Sequence, residues 1–305
     1  MSRTEVYERV TKGIIERLEA GTAPWHKPWD PAYGRPRNLV SWRPYNGINA
    51  LALGLSGRPP WWLTLKQVNR MGFRLRKGSK GVPILYAKRS TATEISTEDD
   101  PVGREVQRER FLMKFYFVFN AEDVDGLEVK PSFPPPEVGL DAAQRILDAV
   151  APKPDIRTGE QAYFVPALDQ VFLPARASFE KPEAFYGTAF HELTHWTGHK
   201  SRLDRETLTS AAPFGSPVYS QEELVAEMGA GFLCALAGIE NQTIDQSASY
   251  LDHWLKQLRA DPGMIVRAAA QAQKAVDFLA PESKAQAAPA TAVEAGEELD
   301  EGVAA

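Results

Sequence analysis

The chain has 305 residues, which is enough for two domains of ordinary size. Its composition, 43% hydrophobic and 25% charged, is that of a globular protein in water, and no apolar run is long enough to span a membrane. The single cysteine, Cys234, excludes an internal disulfide framework and fits a reducing compartment. Because the N-terminus carries no apolar signal segment, we expect a cytoplasmic protein.

Charge is divided unevenly along the sequence. Residues 1–90 contain 17 Lys and Arg but 5 Asp and Glu, whereas the remaining residues contain 18 and 35. Such segregation indicates two units with different partners, and the basic unit is suited to nucleic acid. Four prolines within residues 130–136 mark the expected boundary between the units.

The first unit, residues 1–130, has the pattern of a small α+β domain. Its apolar periodicity, its glycines and its β-branched and aromatic runs place the elements. We predict helices over residues 4–19 and 64–71, a strand pair over 73–86, a strand over 111–120, and an exposed loop at about 90–110.

Tryptophan is concentrated in this basic unit, where five of the seven lie within the first 62 residues. Aromatic rings that stack on bases beside cations that contact phosphates are what binding of single-stranded DNA requires, and no recognition helix or zinc finger for duplex DNA is visible. The alternative is that tryptophans such as Trp42, Trp61 and Trp62 are core residues. The residues predicted to bind DNA are Trp25, Lys27, Trp29, Arg43, Arg74, Arg76, Lys77 and Lys80.

The second unit, residues 131–280, is predicted to be mainly helical with a small β-sheet. A hairpin is expected over residues 161–173, and helices are expected over 140–150, 181–196, 221–236, 247–258 and 263–279. Residues 281–305 contain no aromatic residue and many alanines and acids, a composition that predicts a disordered acidic tail.

His191-Glu192-Leu193-Thr194-His195 has the H-E-x-x-H pattern inside a predicted helix. Because one helical turn separates residues i and i+4, both imidazoles lie on one face and can bind the same ion. Glu192 projects beside them, where a carboxylate can accept a proton from water. We therefore predict a Zn²⁺ site with His191 and His195 as ligands and Glu192 as the catalytic base. The alternative is a helix with two core histidines paired to local carboxylates.

A third ligand is required at such a site. Ser201 stands where the metzincin motif needs histidine, which excludes that class. Glu223 and Glu227 are one turn apart on a predicted helix, so one can bind zinc while the other accepts the N–H of a ligating histidine. We assign Glu223 to zinc and Glu227 to the histidine, with the exchanged roles as the alternative. Glu222 is expected on the solvated face.

Residues that line the cleft are also needed, because a substrate carbonyl must be polarised opposite the base. His199 continues the row from His195, but Gly198 is expected to end the helix first, so that His199 lines the cleft. Tyr219 and Tyr250 are the other candidate donors.

Taken together, these residues resemble the ArdC-like antirestriction family, which includes the N-terminal region of TraC-type plasmid primases. In that family a single-stranded-DNA-binding domain precedes a zincin-like domain, and the protein protects incoming plasmid DNA from host restriction. The resemblance rests on Gly21-x-x-Pro-Trp25 with Trp29, on Tyr45-Asn46-Gly47-Ile48-Asn49, on Trp62-Leu63-Thr64 with Gly72 and Lys77-Gly78, on the H-E-x-x-H motif running into Trp196-Thr197-Gly198-His199, and on residues 222–227.

Two functions of different classes are compatible with this sequence. One is a zinc-dependent peptidase that acts on an unknown protein substrate and is recruited to single-stranded DNA. The other is a non-catalytic protein that coats single strands and whose zinc is structural. Glu192 favours the first, since a purely structural site has no use for a base beside its histidines.

Overall fold

The computed structural model describes residues 3–96, 104–129, 137–209, 216–241 and 248–284, and the fold is α+β, as predicted. The predicted helices lie within a few residues of their observed bounds, whereas the strands agree less well. The helices are α1 (Arg3–Glu19), α2 (Gly47–Gly54), α3 (Leu65–Arg70), α4 (Leu140–Ala149), α5 (Pro182–Thr197), α6 (Glu206–Thr209), α7 (Pro217–Ala237), α8 (Ala248–Ala260) and α9 (Gly263–Leu279). The strands are β1 (Arg37–Asn38), β2 (Trp61–Thr64), β3 (Arg74–Leu75), β4 (Val82–Ser96), β5 (Arg104–Asn120), β6 (Val124–Asp125), β7 (Asp155–Thr158), β8 (Tyr163–Val165) and β9 (Gln170–Leu173).

Within these described ranges, no helix has both the length and the apolar composition that crossing a membrane requires.

The N-terminal sheet has the strand order β1-β2-β5-β4. Strands β4 and β5 pair antiparallel without interruption from Val82–Val118 to Ser96–Arg104, so the exposed loop predicted at about residues 90–110 is wrong. The polar and charged composition of this hairpin predicted a loop. Its strand signal is the β-branched run of Thr91, Thr93 and Ile95.

The strand pair predicted over residues 73–86 is also wrong in its partners. Strand β3 pairs antiparallel with β6, and β4 pairs with β5, so the strands on either side of the turn at residues 77–81 do not pair with each other. The Arg76 amide donates to the Asp123 carbonyl, which extends the link between β3 and the segment before β6. Local turn chemistry predicted the turn but could not identify partners so distant in sequence.

The second sheet has the order β7-β9-β8. The predicted hairpin of β8 and β9 is confirmed, and its turn contains Asp169 at φ 55°. Strand β7 was not predicted. It pairs parallel with β9, and all four of its residues are exposed, so that it lacks the apolar alternation that reveals a strand in sequence.

The largest hydrophobic cluster joins the two predicted domains, and two smaller clusters lie in the N-terminal half. Helix α1 packs on α8 and α9, and the segment of residues 24–29 packs against α7. Gly231 of α7 permits this approach, since a Cβ there would overlap the Trp25 carbonyl oxygen. Gly54 of α2 admits the same segment from the other side of the chain, since a Cβ there would overlap the Pro28 carbonyl oxygen. The N-terminal residues therefore form part of the scaffold of the C-terminal helices.

Two predictions concern residues outside the described chain. The boundary at residues 130–136 lies there, and so does most of the acidic tail predicted over 281–305. The first residues of that range, Pro281–Lys284, form a 3-10 turn.

Candidate metal centre

Helix α5 carries both histidines of the motif. It begins at Pro182, a residue suited to the first helical position, and is capped at its C-terminal end by Gly198, as predicted. The side chains of His191 and His195 are largely buried on one face, and their Nε2 atoms lie 3.2 Å apart. Two ring nitrogens thus face the same point.

Helix α7 brings a carboxylate to that point. Ser216 caps its first turn by accepting from the Tyr219 amide, and Gly229 lets the helix approach α5 because a Cβ there would lie 2.5 Å from Thr194 Oγ1. The oxygens of Glu223 consequently lie 3.6 Å from His191 Nε2 and 3.7 Å from His195 Nε2.

The three side chains fit a metal ion. His191, His195 and Glu223 are the cluster of ligand-type residues that converges within the described part of the chain. Donor atoms about 2.0–2.1 Å from a tetrahedral ion are about 3.4 Å from one another. The two Nε2 atoms are 3.2 Å apart, and each lies 3.6 or 3.7 Å from a different oxygen of Glu223, which is close to that spacing.

Protonation of the metal-free cluster is set by its charges. Burial lowers the pKa of His191, but hydrogen bonding to Glu223 and the charges of Glu227 and Glu192 outweigh it and raise that pKa to about 9. Burial raises the pKa of Glu223, but hydrogen bonding to His191 and the charge of His195 bring it down to about 2. Without a metal ion, His191 therefore carries a proton at neutral pH, and this proton must be released when a metal ion binds.

Each histidine also faces a carboxylate through its other nitrogen. His191 Nδ1 lies 3.4 Å from Glu227 Oε1, on the side predicted for this residue. His195 Nδ1 donates to Glu222 Oε1 at 3.0 Å. Glu222 is 4% exposed, so the prediction that it lies on a solvated face is wrong. The reason is tertiary: the loop after α5 folds back over this side of α7 and covers it with Arg205.

Glu192 and Tyr219 complete the pocket. Glu192 is 7% exposed, and its charge acts on both His191 and Tyr219, which places it beside the ligands. Burial, the charge of Glu223 and a hydrogen bond to Glu223 raise the pKa of Tyr219 to about 12, so this hydroxyl keeps its proton at neutral pH.

His199 lies beyond the end of α5 and outside the metal cluster. Its Nδ1 bonds with Ser201 Oγ at 2.8 Å, and it lies 3.9 Å from Asp169, which is paired with Arg202. Tyr250 lies in α8, and its side chain is outside the part of the chain whose side chains are described.

The residues predicted to bind DNA divide into two groups. Trp25 and Trp29 are 1% and 3% exposed, because Trp25 packs edge-on against Trp254 and Trp29 stacks on Phe232 in the shared core. The prediction that these two rings are exposed to DNA is therefore wrong. The charged residues of the set are all exposed: Lys27, Arg43, Arg74, Arg76, Lys77 and Lys80.

Comparison with known proteins matches both halves of the chain. The profile for the N-terminal domain of anti-restriction factor ArdC matches residues 4–119, and that for a zincin-like metallopeptidase matches residues 141–271. An uncharacterized protein of Sinorhizobium fredii, y4eC, is 32% identical over 93% of this chain and 94% of its own. Two DNA primases TraC of Escherichia coli are 41% and 38% identical over 90% of this chain, which spans 27% and 20% of their length.

Two crystal structures are similar over nearly the whole chain, those of the antirestriction protein ArdC from plasmid R388. The metal-free form is 37% identical and covers 93% of this chain and 99% of that one, with a TM-score of 0.68. The Mn(II)-bound form is 35% identical and covers 92% and 98%, also with a TM-score of 0.68. Since the two profiles match successive parts of the chain and a solved ArdC structure at 37% identity covers 93% of it, this chain belongs to the ArdC antirestriction family and contains a zincin-like metallopeptidase domain.

Proposed function

We propose that this protein binds single-stranded DNA, carries a zinc-dependent peptidase site and protects incoming plasmid DNA from host restriction in the cytoplasm. The observation that carries the peptidase part is the convergence of His191, His195 and Glu223 beside the buried carboxylate of Glu192. Two imidazoles and one carboxylate with an open position are the donor set of catalytic zinc.

The residues around the ion have separate tasks in this proposal. Zinc held by the three ligands would supply a Lewis acid. Glu192 takes a proton from the attacking water and delivers it to the departing amine. Tyr219, which stays protonated at neutral pH, can donate a hydrogen bond to the oxygen on which negative charge develops. Glu222 holds the ring of His195 through a hydrogen bond, and Glu227 faces Nδ1 of His191 at 3.4 Å, where it can support that ring.

The purified protein is expected to hold about one zinc ion per chain. Glu223→Ala should lose zinc more severely than Glu227→Ala, because removal of a ligand costs more than removal of the group that supports one, typically roughly 10–100-fold in affinity. Titration of the apoprotein with zinc against a chromogenic chelator measures both.

The control for this comparison is Asp252→Asn, which alters an exposed carboxylate on α8 and should bind zinc as the wild type does. Greater loss in Glu227→Ala than in Glu223→Ala would exchange the two roles. Undiminished zinc in His191→Ala would refute the site.

With Trp25 and Trp29 in the core, a different pair of rings is suited to stack on bases. Trp42 and Trp61 are half-buried and meet edge-to-face with their centroids 5.0 Å apart. Trp42 has φ 61°, a conformation that a bulky residue rarely adopts and that costs of order 1–3 kcal/mol. The Asn38 carbonyl accepts from the Trp42 amide and the Asn38 side chain accepts from the Val40 and Ser41 amides, so the turn is held rigid.

Positive charge borders this pair. Arg43 is exposed next to Trp42 in sequence. Trp61 and Leu75 pack against the same small apolar cluster, which brings strand β3, with the exposed Arg74 and the cations that follow it, toward the Trp61 ring. Aromatic faces beside cations are the combination that binds single strands with little dependence on sequence. We therefore propose the Trp42–Trp61 surface, with Arg43, Arg74, Arg76, Lys77 and Lys80, as the DNA-binding site.

The full-length protein is expected to bind a labelled oligothymidylate with an affinity that falls as salt rises, by about 0.7 log units per log unit of salt for each phosphate contacted. Replacing Arg74, Arg76, Lys77 and Lys80 by glutamine should reduce that slope. Trp42→Ala should weaken binding by about 1–3 kcal/mol at an unchanged slope, because stacking displaces no counterion. A preference for duplex DNA, or binding without salt dependence, would contradict the proposal.

Plasmid transfer tests the proposal that the protein protects incoming DNA from restriction. Transfer of unmodified plasmid into a restricting recipient that expresses the Trp42→Ala variant should fall below that with the wild type, and transfer into a recipient without restriction should not change. Glu192→Ala separates the two candidate functions in the same assay. Protection that survives this change assigns antirestriction to DNA binding, and protection that is lost assigns it to hydrolysis.

A further inference from the structure

Glu222 and Arg205 form a buried ion pair beside the proposed metal site. They are 4% and 3% exposed. Glu222 Oε1 accepts from His195 Nδ1 at 3.0 Å and from Arg205 Nη2 at 2.6 Å, and Oε2 accepts from Arg205 Nε at 2.8 Å and from Thr207 Oγ1 at 2.5 Å. Arg205 thus supplies two of the four hydrogen bonds that fix this carboxylate. The carboxylate in turn holds His195 through Nδ1, which leaves Nε2 directed toward His191 and Glu223.

The same guanidinium group binds the end of helix α5. Arg205 Nη2 donates to the Thr194 carbonyl at 2.8 Å, and Nη1 donates to Thr197 Oγ1 at 3.2 Å. Carbonyls in the last turn of a helix have no partner within it, and a cation there is favoured by the helix dipole. Arg205 therefore joins the turn that contains His195 to the carboxylate that orients its ring.

Gly198 makes room for this group. Its backbone has φ −75° and ψ −8°, a conformation open to any residue, so no conformational demand requires glycine. A Cβ at this position, however, would lie 2.6 Å from Arg205 Nη2 and 2.7 Å from Cζ. The Cβ would also lie 3.0 Å from Leu208 Cδ2, so glycine is required here by space, and the nearest group in that space is the arginine.

We infer that Arg205 and Glu222 are positioning residues of the metal centre, and that Gly198 is glycine in order to admit the Arg205 side chain. The inference rests on the proposed metal site and adds three residues to it. Burial of a charge pair gains little stability by itself, because the desolvation of both groups offsets their attraction. Its effect here is geometric: it sets the direction of the His195 ring and anchors the turn that bears it.

Zinc affinity of the full-length apoprotein, measured by competition with a chromogenic chelator, tests this inference. Gly198→Ala, Glu222→Gln and Arg205→Lys are each expected to lower affinity roughly 10–100-fold, the usual cost of losing support for a ligand. The matched control is Gly13→Ala in α1, where a Cβ would meet nothing within 4 Å, and its zinc affinity should equal that of the wild type.

Two further readouts distinguish positioning from a general loss of stability. The visible absorption spectrum of the Co(II)-substituted protein should change in the three variants, because the His195 ring is reoriented, and should not change in Gly13→Ala. The Gly198→Ala effect should also shrink in an Arg205→Lys background, since the planar group that a Cβ would contact is gone. Equal effects in both backgrounds would overturn the role of Gly198.

Failure of the proposed metal site and failure of this inference give different results. A wild-type protein that does not bind zinc would contradict the proposed function and this inference together. Normal zinc affinity and an unchanged Co(II) spectrum in Gly198→Ala and Glu222→Gln, with a wild type that binds zinc, would contradict the inference alone. Gly198→Ala keeps the test valid if Arg205→Lys fails to fold, because its backbone conformation suits alanine.

Discussion

Glu192→Ala is expected to lower zinc-dependent peptide hydrolysis by about 10²–10⁴-fold, the usual contribution of a general base. Of the four glutamates at this site, Glu223 is assigned to the ion, Glu222 bonds to His195 and Glu227 lies beside His191, which leaves Glu192 for proton transfer. Its loss removes proton transfer and leaves the ligand cluster intact. Zinc content and thermal stability should therefore match those of the wild type.

Hydrolysis of fluorescently labelled casein is the measurement, with the chelator-treated wild type as the reference for zero activity. Asp252→Asn again serves as the control, because it changes a carboxylate outside the site. Retained hydrolysis in Glu192→Ala would assign the base to another residue. Loss of zinc in the same variant would mean that Glu192 contributes to zinc binding. The loss of hydrolysis could then not be assigned to a missing base.

The residues of the metal centre could be predicted from sequence because the i, i+4 spacing of its side chains is set by helix geometry. His191, His195, Glu223 and Glu227 lie on predicted helices at i and i+4, so their shared faces follow from helix geometry. Which of two adjacent glutamates is buried does not follow. Glu222 points away from the Glu223 face and is covered only because the loop after α5 returns to it, a contact between residues 17 positions apart that no local pattern reveals.

The same limit explains the errors in the N-terminal half. The sequence of an extended, proline-rich segment does not show whether its tryptophans are exposed to solvent or buried in the core. Trp25 and Trp29 are buried by helices that lie more than 200 residues later, at Trp254 and Phe232. The cations predicted to bind DNA lie at the surface, where most charged side chains remain because burial without a partner is costly.

Trp25→Ala is expected to destabilise the whole protein by about 3–5 kcal/mol, the cost of truncating a fully buried aromatic residue. Trp25 is 1% exposed, packs edge-on against Trp254 and has its carbonyl against Gly231 of α7. Glu227 and Glu223 lie one and two turns from Gly231 on the same face of that helix, so loss of the Trp25 packing loosens the helix that carries them. Urea denaturation followed by far-UV circular dichroism and by zinc release measures the change.

Because one core spans residues from α1 to α9, both signals should move together in a single transition at lower urea. Trp42→Ala is the matched control: its ring is half-buried at the surface, so it should weaken DNA binding with a much smaller change in stability. The two tryptophans are thus expected to behave in opposite ways. Weaker DNA binding by Trp25→Ala at unchanged stability would restore it to the DNA-binding surface, and two separate transitions would show that the halves fold independently.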